Sequence, residues 1–583
     1  MYYRVFSILL FVTSVLLPTK SIVAQGTNVT FGKNRVQYHD NFKEWSQYES
    51  ENFITYWYGE SRNIGQSTLL IAEQELSDIT KLLEYIPTDK IEIIVYTDIT
   101  DLKQTNLGSE DAFVNKGGQT KIADNKIFVY FDGNHNHLRR QIREGIGGVC
   151  LESMLFGASL QEIVQSAITL NIPAWYKQGL MSYIGESWST NLDDMMRDYF
   201  TNTEKPSLKK MIQENPELAG HSFWYFIFNT YSNNTITNII YLTKINRDVD
   251  AALLYVMGSD FERLTQSWES FYAKRYEAEK SEKPQEQSFL KIKNKRNLPL
   301  TQVLISPDGK KIAYAMNEIG RVSVMVQDLT SGKRERVFRY GFRNAIQSTD
   351  YDYPLLRWVP TSKAENKLFV VYEERDKIKY RIINLNKDEV VKDKFPDVFQ
   401  RIHSIDFINS NELLLTATQR GFSDVYIYKL NTRQSEHITF DMYDDLSAIY
   451  IDKNDKEKGI LFTSNRTNTT LERVNMDSLA PVGNFDIFYY DLINKPNELV
   501  KVTNTPFANE KSLMQVDTSY FSYLSDESGI YNRYNGYIKD VLMYYNKHIT
   551  LKDGTVITIH QDSVLHHIDT TLIDTITFSP VIK

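Results

Sequence analysis

Residues 305–314 read ISPDGKKIAY and residues 324–329 read VMVQDL, so an Asp-Gly turn is followed by two short apolar runs, the second ending in Asp-Leu. An Asp-Gly turn flanked by alternating apolar residues is a strong hairpin signal. Related runs recur at 368–385, 413–430, 461–492 and 520–532. A repeat of roughly 45 to 65 residues with about four short strands is typical of β-propeller blades. The second half is therefore predicted to be all-β.

The sequences of these repeats resemble those of the TolB family of periplasmic propellers. Blades of that family carry Ser-Pro-Asp-Gly and Ser-Asn-Arg or Ser-Asp-Arg turns before a strand ending in Asp-Leu. The likeness covers residues 297–537 and implies about six blades, of which five are recognisable. Residues 549–583 are strand-like but contain no complete blade. Because an open ring exposes strand edges, the missing strands are expected from this segment, from residues beyond 583, or from a partner.

The first half has a different pattern, typical of an α+β domain. Residues 52–58, 91–96 and 126–131 predict strands, and residues 64–85 carry apolar side chains at helical spacing. From about 134 to 280 the pattern is almost wholly helical, and Asp260 is placed to cap the last helix. A charged stretch at 277–287 with Pro284 predicts a linker.

The N-terminus is typical of a secretory signal. Residues 5–17 form an apolar run after Arg4, and Ala24 ends the segment with the small residue that a signal peptidase requires. The predicted organisation is a signal peptide at 1–24, a peptidase-like domain at 25–276, a linker at 277–296 and a propeller at 297–583. After cleavage, no segment is long and apolar enough to span a membrane as a helix.

Composition narrows the classes of function. Of 583 residues, 42% are hydrophobic and 24% are charged, which is typical of a folded globular protein. The net charge of -8 is spread over mixed segments without a basic stripe, so nucleic acid is not an expected partner. The single cysteine, Cys150, excludes an internal disulfide and is expected to be a buried structural thiol.

Two segments of the first half carry a further resemblance. Residues 138–148 predict the start of a helix, and residues 172–183 read IPAWYKQGLMSY. Together with residues 220–225 and 251–268, this pair is similar to the gluzincin "peptidase MA-like" family over residues 52–272. In that family the first helix carries His-Glu-x-x-His, and the second segment reads Pro-x-Trp-x-x-Glu-Gly-Leu-Ala-Glu-Tyr.

The resemblance implies that the zinc site of this family has been lost here. Aligned on Glu144, the two histidine positions hold Arg143 and Gly147, and the third-ligand position holds Gln178. Arginine is a fixed cation, glycine has no side chain, and a neutral amide is a poor zinc ligand. Glu144 keeps the general-base position, but its simpler interpretation is an ion pair with Arg140 or Arg143. No cofactor or metal is predicted.

A metal site rebuilt elsewhere is not expected, because the side chains near the motif lack ligand spacing, namely His135, His137, Glu152 and Glu186. These histidines and His221 are interpreted as polar or capping residues.

The predicted function is a non-catalytic exported adaptor of the cell envelope, in the periplasm or at the cell surface. Its partners are predicted to be other envelope proteins, such as an outer-membrane assembly or secretion complex of Bacteroidota. Two alternatives remain at this stage: an active metallopeptidase or other hydrolase with a relocated site, and a module that binds a ligand in the propeller channel.

Overall fold

The computed structural model describes most of the chain after residue 44. The described ranges are 45–103, 120–123, 125–157, 170–232, 234–277, 292, 294, 296–344, 349–361, 365–387, 389–454, 457–472, 480–517, 519–539, 542–563 and 570–582. The predicted signal peptide and most of the predicted linker lie outside these residues.

A five-stranded sheet opens the N-terminal domain. Its strands are β1 (Trp45–Glu49), β2 (Phe53–Tyr58), β3 (Ile91–Tyr96), β4 (Lys121–Ala123) and β5 (Lys126–Tyr130). The order is β1-β2-β3-β5-β4, and β2, β3 and β5 are parallel. Alternate side chains of β2 and β3 are buried, as expected when one face packs on helices. The three strands predicted from sequence are confirmed.

Ten helices cover this sheet and extend the domain within the described residues. They are α1 (Arg62–Leu83), α2 (Ile99–Lys103), α3 (His135–Phe156), α4 (Ala174–Gly185), α5 (Thr190–Asn202), α6 (Leu208–Glu214), α7 (Pro216–Thr230), α8 (Thr235–Asn246), α9 (Val249–Met257) and α10 (Phe261–Glu277). The backbone N–H of Arg263 donates to Asp260 Oδ1 at 2.8 Å, so the predicted cap is confirmed. The predicted helical region is confirmed as well.

Helices α4 and α7 touch through their backbones. A Cβ atom on Gly220 would lie 1.8 Å from the carbonyl oxygen of Trp175, and one on Gly179 would lie 2.2 Å from Gly220 Cα. Around this crossing, Trp175, Trp224 and other aromatic side chains form the core of the domain. The absence of side chains at these two glycines is what lets the two helices approach.

The second half contains five blade-like antiparallel sheets, each built as a meander. Blade 1 has β6 (Leu300–Ile305), β7 (Lys311–Glu318), β8 (Arg321–Asp328) and β9 (Arg334–Tyr340). Blade 2 has β10 (Leu355–Trp358), β11 (Lys367–Glu373), β12 (Ile378–Asn384) and β13 (Glu389–Lys394). Blade 3 has β14 (Arg401–Phe407), β15 (Glu412–Gln419), β16 (Phe422–Lys429) and β17 (Gln434–His437). Blade 4 has β18 (Asp445–Asn454), β19 (Glu457–Ser464), β20 (Asp486–Asp491) and β21 (Val500–Lys501). Blade 5 has β22 (Glu510–Gln515), β23 (Tyr520–Ser525) and β24 (Asn532–Tyr537).

Apolar clusters join these blades in series. One cluster lies between blades 1 and 2, the next between blades 2 and 3, and two more continue to blades 4 and 5. In the described part of the chain, no such cluster joins blade 5 to blade 1. The predicted propeller architecture is confirmed by this arrangement, whereas the sixth blade of the predicted count is not.

The last three strands form a sheet of their own. β25 (Leu542–Leu551) is central, between β26 (Val556–His560) and β27 (Ile573–Ile582). Ile549 lies opposite both Ile557 and Ile576, which makes one face apolar, while His548 on the other face bonds Thr558 and Ser579. The strand-like character predicted for residues 549–583 is confirmed. Among the described helices, none has the length and apolar character needed to cross a membrane.

Candidate functional site

Glu144 lies on the inner face of α3 and is only 3% exposed. Its Oε1 accepts a hydrogen bond from Arg140 Nε at 3.1 Å, and its Oε2 accepts bonds from the N–H and the hydroxyl of Thr120 at 3.3 and 3.1 Å. Burial raises the pKa of Glu144, and Arg140 opposes that rise. Arg140 is thus one of the two partners expected from the sequence.

Arg143 holds three helices together. Its Nε donates to the Ile184 carbonyl oxygen of α4 at 2.8 Å, and its guanidinium pairs with Glu75 of α1. Glu75 also accepts a bond from Arg139 Nε at 2.5 Å. The side chain at the first histidine position therefore has a packing role between α1, α3 and α4.

Gly147 is a contact point between α3 and α4. A Cβ atom at this position would lie 2.8 Å from both Cδ1 and Cγ2 of Ile184. The neighbouring Gly148 is equally tight, because its Cβ would lie 2.1 Å from Ile122 Cδ1. Any larger side chain at position 147, histidine included, would require the Ile184 side chain or α4 itself to shift. Gln178, at the third-ligand position, is buried on α4.

The side chains considered for a relocated metal site do not come together. His135 Nδ1 bonds Asp444, His137 Nδ1 bonds Asp132, and Glu152 pairs with Lys177, at 2.7, 2.7 and 2.5 Å. Across the described ranges, no group of three His, Cys, Asp or Glu side chains is arranged to hold a metal ion. Cys150 is buried as predicted, and burial raises the pKa of its thiol to about 12.

Arg140 lies among three carboxyl groups at this position. Besides Glu144, its guanidinium nitrogens lie 3.8 Å from Glu186 Oε2 and 3.8 Å from Glu217 Oε1. Burial, and then the charge of Glu144, raises the pKa of Glu217 to about 7. Close by, His221 Nδ1 lies 2.9 Å from Ser182 Oγ, and burial lowers the pKa of His221 to about 4. Arg140 therefore has three carboxyl partners, and the nearby His221 is buried with its pKa lowered toward the neutral form.

The start of α3 is buried against the propeller, which sequence reasoning missed. The backbone N–H of His135 and its Nδ1 both bond the Asp444 carboxylate at 2.7 Å. Asp444 also accepts a bond from Asn465 Nδ2 at 3.1 Å. The side chains of His135 and Asp444 are buried, so this contact lies in the interior of the interface.

Further bonds surround this contact. Asn136 Nδ2 donates to the Gly483 carbonyl at 2.7 Å, and the Gly483 N–H donates back to Asn136 Oδ1 at 3.1 Å. Ser423 Oγ donates to the Gly133 carbonyl at 2.8 Å. Reciprocal bonds of this kind fix both the distance and the orientation of the two domains.

Charged groups occupy a second part of the same interface. Arg401 of blade 3 lies 3.5 Å from Asp98 of the N-terminal domain and pairs with Asp350 at 3.0 Å. Burial raises the pKa of Asp98 to about 6 despite Arg401, and burial together with the charge of Asp98 raises the pKa of Glu373 to about 8. Both carboxyls therefore bind a proton more readily than exposed carboxyls do.

The apolar core of the N-terminal domain includes residues from the propeller. Ala480 belongs to that core, and Val482 packs against it. These two residues lie between β19 and β20 of blade 4. The sequence offered a weak signal for the interface, since residues 132–137 (DGNHNH) and 441–445 (DMYDD) are polar segments at the starts of α3 and β18.

This interface changes one expectation about the linker. Limited proteolysis is expected to cut within residues 277–287, as the charged sequence predicts. We expect the two fragments to elute together in size-exclusion chromatography at micromolar concentration, because buried bonds join them. Fragments that separate under these conditions would mean that the interface is too weak to hold the domains together.

Comparisons with known proteins identify no family. No protein-family model matches the chain, and no curated protein matches it. Among solved structures, the propeller domain of the Trilobed protease from Pyrococcus furiosus is similar at 18% identity and a TM-score of 0.27, over 41% of this chain and 67% of that one. TolB from Acinetobacter baumannii is similar at 16% identity and a TM-score of 0.26, over 41% and 54%.

An acylaminoacyl peptidase from Pyrococcus horikoshii is similar at 14% identity and a TM-score of 0.26, over 45% of this chain and 44% of that one. The chain thus spans about half the length of the TolB and acylaminoacyl peptidase structures. Similarities this low say nothing about activity or partners.

Proposed function

We propose that this protein is a non-catalytic exported scaffold that binds other proteins of the cell envelope. The observation that supports this most directly is the contact between Gly147 and Ile184. At the position where a zinc peptidase needs its second histidine ligand, this chain has a glycine that packs α3 against α4. Arg143, at the first histidine position, likewise forms an ion pair with Glu75 and a hydrogen bond to the backbone of α4.

The chemistry of the site supports the same proposal. A catalytic zinc site needs three protein ligands and a bound water, from which a nearby carboxylate takes a proton. Here Glu144 accepts three hydrogen bonds from Arg140 and Thr120 instead. A carboxylate held in this way is a structural link between α3 and the chain before it.

The interface supports a scaffolding role. Because α3 is anchored on blades 3 and 4, the loops of the helical domain and of the propeller belong to a single surface. A partner that contacts both domains would meet a fixed arrangement, which lowers the entropy lost on binding. The envelope location rests on the signal-like sequence at residues 1–24, and an outer-membrane protein complex is the partner that we propose.

Metal content and the variant Glu144→Gln test this proposal together. Purified protein is expected to contain less than one zinc per chain by elemental analysis and to have no peptidase activity. Glu144→Gln is expected to keep the same co-purifying envelope proteins as the wild type, with a stability change within about 1 kcal/mol, because an amide retains part of the bonding. In a working zinc peptidase this change removes the general base.

The matched control is Arg140→Gln, which removes the other half of the same contact without touching the general-base position. Equal recovery of partners by both variants supports a structural role for the pair. One tightly bound zinc per chain, or peptidase activity that disappears in Glu144→Gln, would overturn the scaffold proposal.

A further inference from the structure

Carboxyl groups from both domains meet inside the interface. Asp98 and Asp101 belong to the N-terminal domain, just before and within α2, and are 5% and 1% exposed. Glu373 ends β11 of blade 2, and Asp376 lies in the turn that leads to β12. Asp350 precedes blade 2 and pairs with Arg401. We call these five carboxyl groups the acidic interface: Asp98, Asp101, Asp350, Glu373 and Asp376.

Hydrogen bonds within the acidic interface cross from one domain to the other. A side-chain hydrogen bond joins Asp376 to Asp101, and another joins Glu373 to Thr100 of α2. Ionised carboxylates only accept hydrogen bonds, so the bond between Asp376 and Asp101 requires a proton on one of the two. The docked arrangement of the domains therefore holds a proton that an exposed aspartate does not hold at neutral pH.

The basic side chains that face the acidic interface do not balance its charge. Within the described residues they are Arg401, which is 4% exposed, and Lys103 of α2, whose pKa is lowered by burial. The guanidinium nitrogens of Arg401 lie 3.5, 3.0 and 2.9 Å from carboxylate oxygens of Asp98, Asp350 and the exposed Asp352. Asp98 Oδ2 is buried and accepts no hydrogen bond from the described residues. Full ionisation would thus leave several buried negative charges without compensation.

Burial and mutual repulsion both favour the protonated carboxyl groups. Burial raises the pKa of Asp376 to about 9, and the charges of Asp101 and Glu373 add to that rise. Burial likewise raises the pKa of Asp98 to about 6 and that of Glu373 to about 8. Asp98 acts on Glu373, and Asp101 on Asp376, across the boundary between the domains. Part of each rise therefore disappears when the domains separate.

We propose that the two domains dock in a proton-dependent way: the acidic interface holds them together while it keeps its protons and loosens when it loses them. In separated domains these carboxyl groups would have ordinary pKa values of about 4, whereas the docked values are higher. Their contribution to docking is fully present below the ordinary pKa and is lost as the pH rises through the docked pKa. The loss therefore extends from about pH 4 to about pH 9. This pH-sensitive joint is independent of the scaffold proposal.

The other titratable groups nearby keep their charge state in this range or change it in the same direction. The buried phenols stay protonated because burial raises the pKa of each: Tyr58, Tyr96, Tyr130, Tyr340 and Tyr353. His403 stays neutral because burial lowers its pKa to about 3. The charge of Asp132 raises the pKa of His137 to about 9, so this ion pair is also lost only as the pH rises.

Hydrogen exchange of the full chain tests the proposal. Two backbone amides donate across the domain boundary, His135 N–H to Asp444 Oδ2 at 2.7 Å and Gly483 N–H to Asn136 Oδ1 at 3.1 Å. After correction for the intrinsic pH dependence of exchange, the protection of both amides is expected to fall at least about tenfold between pH 5 and pH 8. One proton bound on docking already changes the equilibrium about tenfold per pH unit. The amide of Ile93 in the central strand β3 is expected to keep its protection within about twofold.

The double variant Glu373→Gln, Asp376→Asn has no proton to lose at these positions. Its protection of the two interdomain amides at pH 8 is expected to stay within about threefold of the value at pH 5. Asparagine suits position 376, where φ is 59°. The matched control removes two exposed carboxyl groups of the same blade, Glu374→Gln and Asp397→Asn, and is expected to follow the wild type.

The wild-type measurement decides the proposal even when the double variant does not fold. Interdomain protection that stays within about twofold between pH 5 and pH 8, or that increases with pH, would overturn it. Equal pH dependence in the two double variants would overturn it as well, because other groups would then bind the protons. An equal loss of protection at Ile93 would mean that the N-terminal domain unfolds instead of undocking, which also contradicts the proposal.

Discussion

Replacing Gly220 by alanine is expected to lower the free energy of unfolding of the N-terminal domain by about 3 kcal/mol or more. The added methyl group would lie 1.8 Å from the Trp175 carbonyl oxygen, whereas ordinary contacts begin at 3.4 Å. The obstacle is backbone rather than a flexible side chain, so α4 and α7 must separate. A loss of this size corresponds to a fall of roughly 6–12 °C in the thermal midpoint of a domain of this length.

Thermal unfolding followed by near-ultraviolet circular dichroism measures this loss, since Trp175 and Trp224 lie at the crossing. Gly483→Ala is the matched control, because a Cβ atom there would have no neighbour closer than Asn465 O at 3.9 Å. We expect that variant to melt within about 2 °C of the wild type. Equal midpoints for both alanine variants would mean that the helices do not cross through their glycines.

Replacing Asp444 by alanine is expected to weaken the association of the two domains by about 3–5 kcal/mol, or at least about a hundredfold in Kd. The change leaves the buried N–H and Nδ1 of His135 without their acceptor and removes one of the two acceptors of Asn465 Nδ2, which keeps its bond to the Pro481 carbonyl. The measurement is the dissociation constant of the two halves after cleavage in the linker.

Glu60→Ala is the control for an interdomain ion pair at the surface. Glu60 pairs with Arg420 at 2.6 Å, but both side chains are at least 70% exposed. Exposed pairs contribute little to stability, so this variant is expected to associate like the wild type. If Asp444→Ala also associates normally, the contact with His135 does not hold the domains together.

Elements with a local pattern were predictable from the sequence. The strand at residues 91–96 was found because its apolar and β-branched residues form a short run between turns, and it matches β3. Asp260 was found because capping depends on the residues that follow it. Each of these two signals comes from residues that are neighbours in the sequence.

The contacts that organise the site could not be predicted in this way. His135 and Asp444 are far apart in sequence, and neither residue type indicates burial. Gly147 was interpreted through a resemblance as the loss of a ligand, whereas its contact with Ile184 depends on how α3 and α4 cross. The five blades were recognisable from their repeats, whereas the count of about six came from the resemblance alone, and blade 5 has three strands in the described residues.

The position of Ala480 and Val482 in the N-terminal core has a consequence for biosynthesis. A ribosome adds about 5–20 residues per second, so these residues follow the last helix of that core by roughly ten to forty seconds. During this interval, the apolar surface that they later cover is exposed on a nascent chain. Until blade 4 has been synthesised, the core of the N-terminal half therefore lacks two of the apolar residues that pack in it or against it.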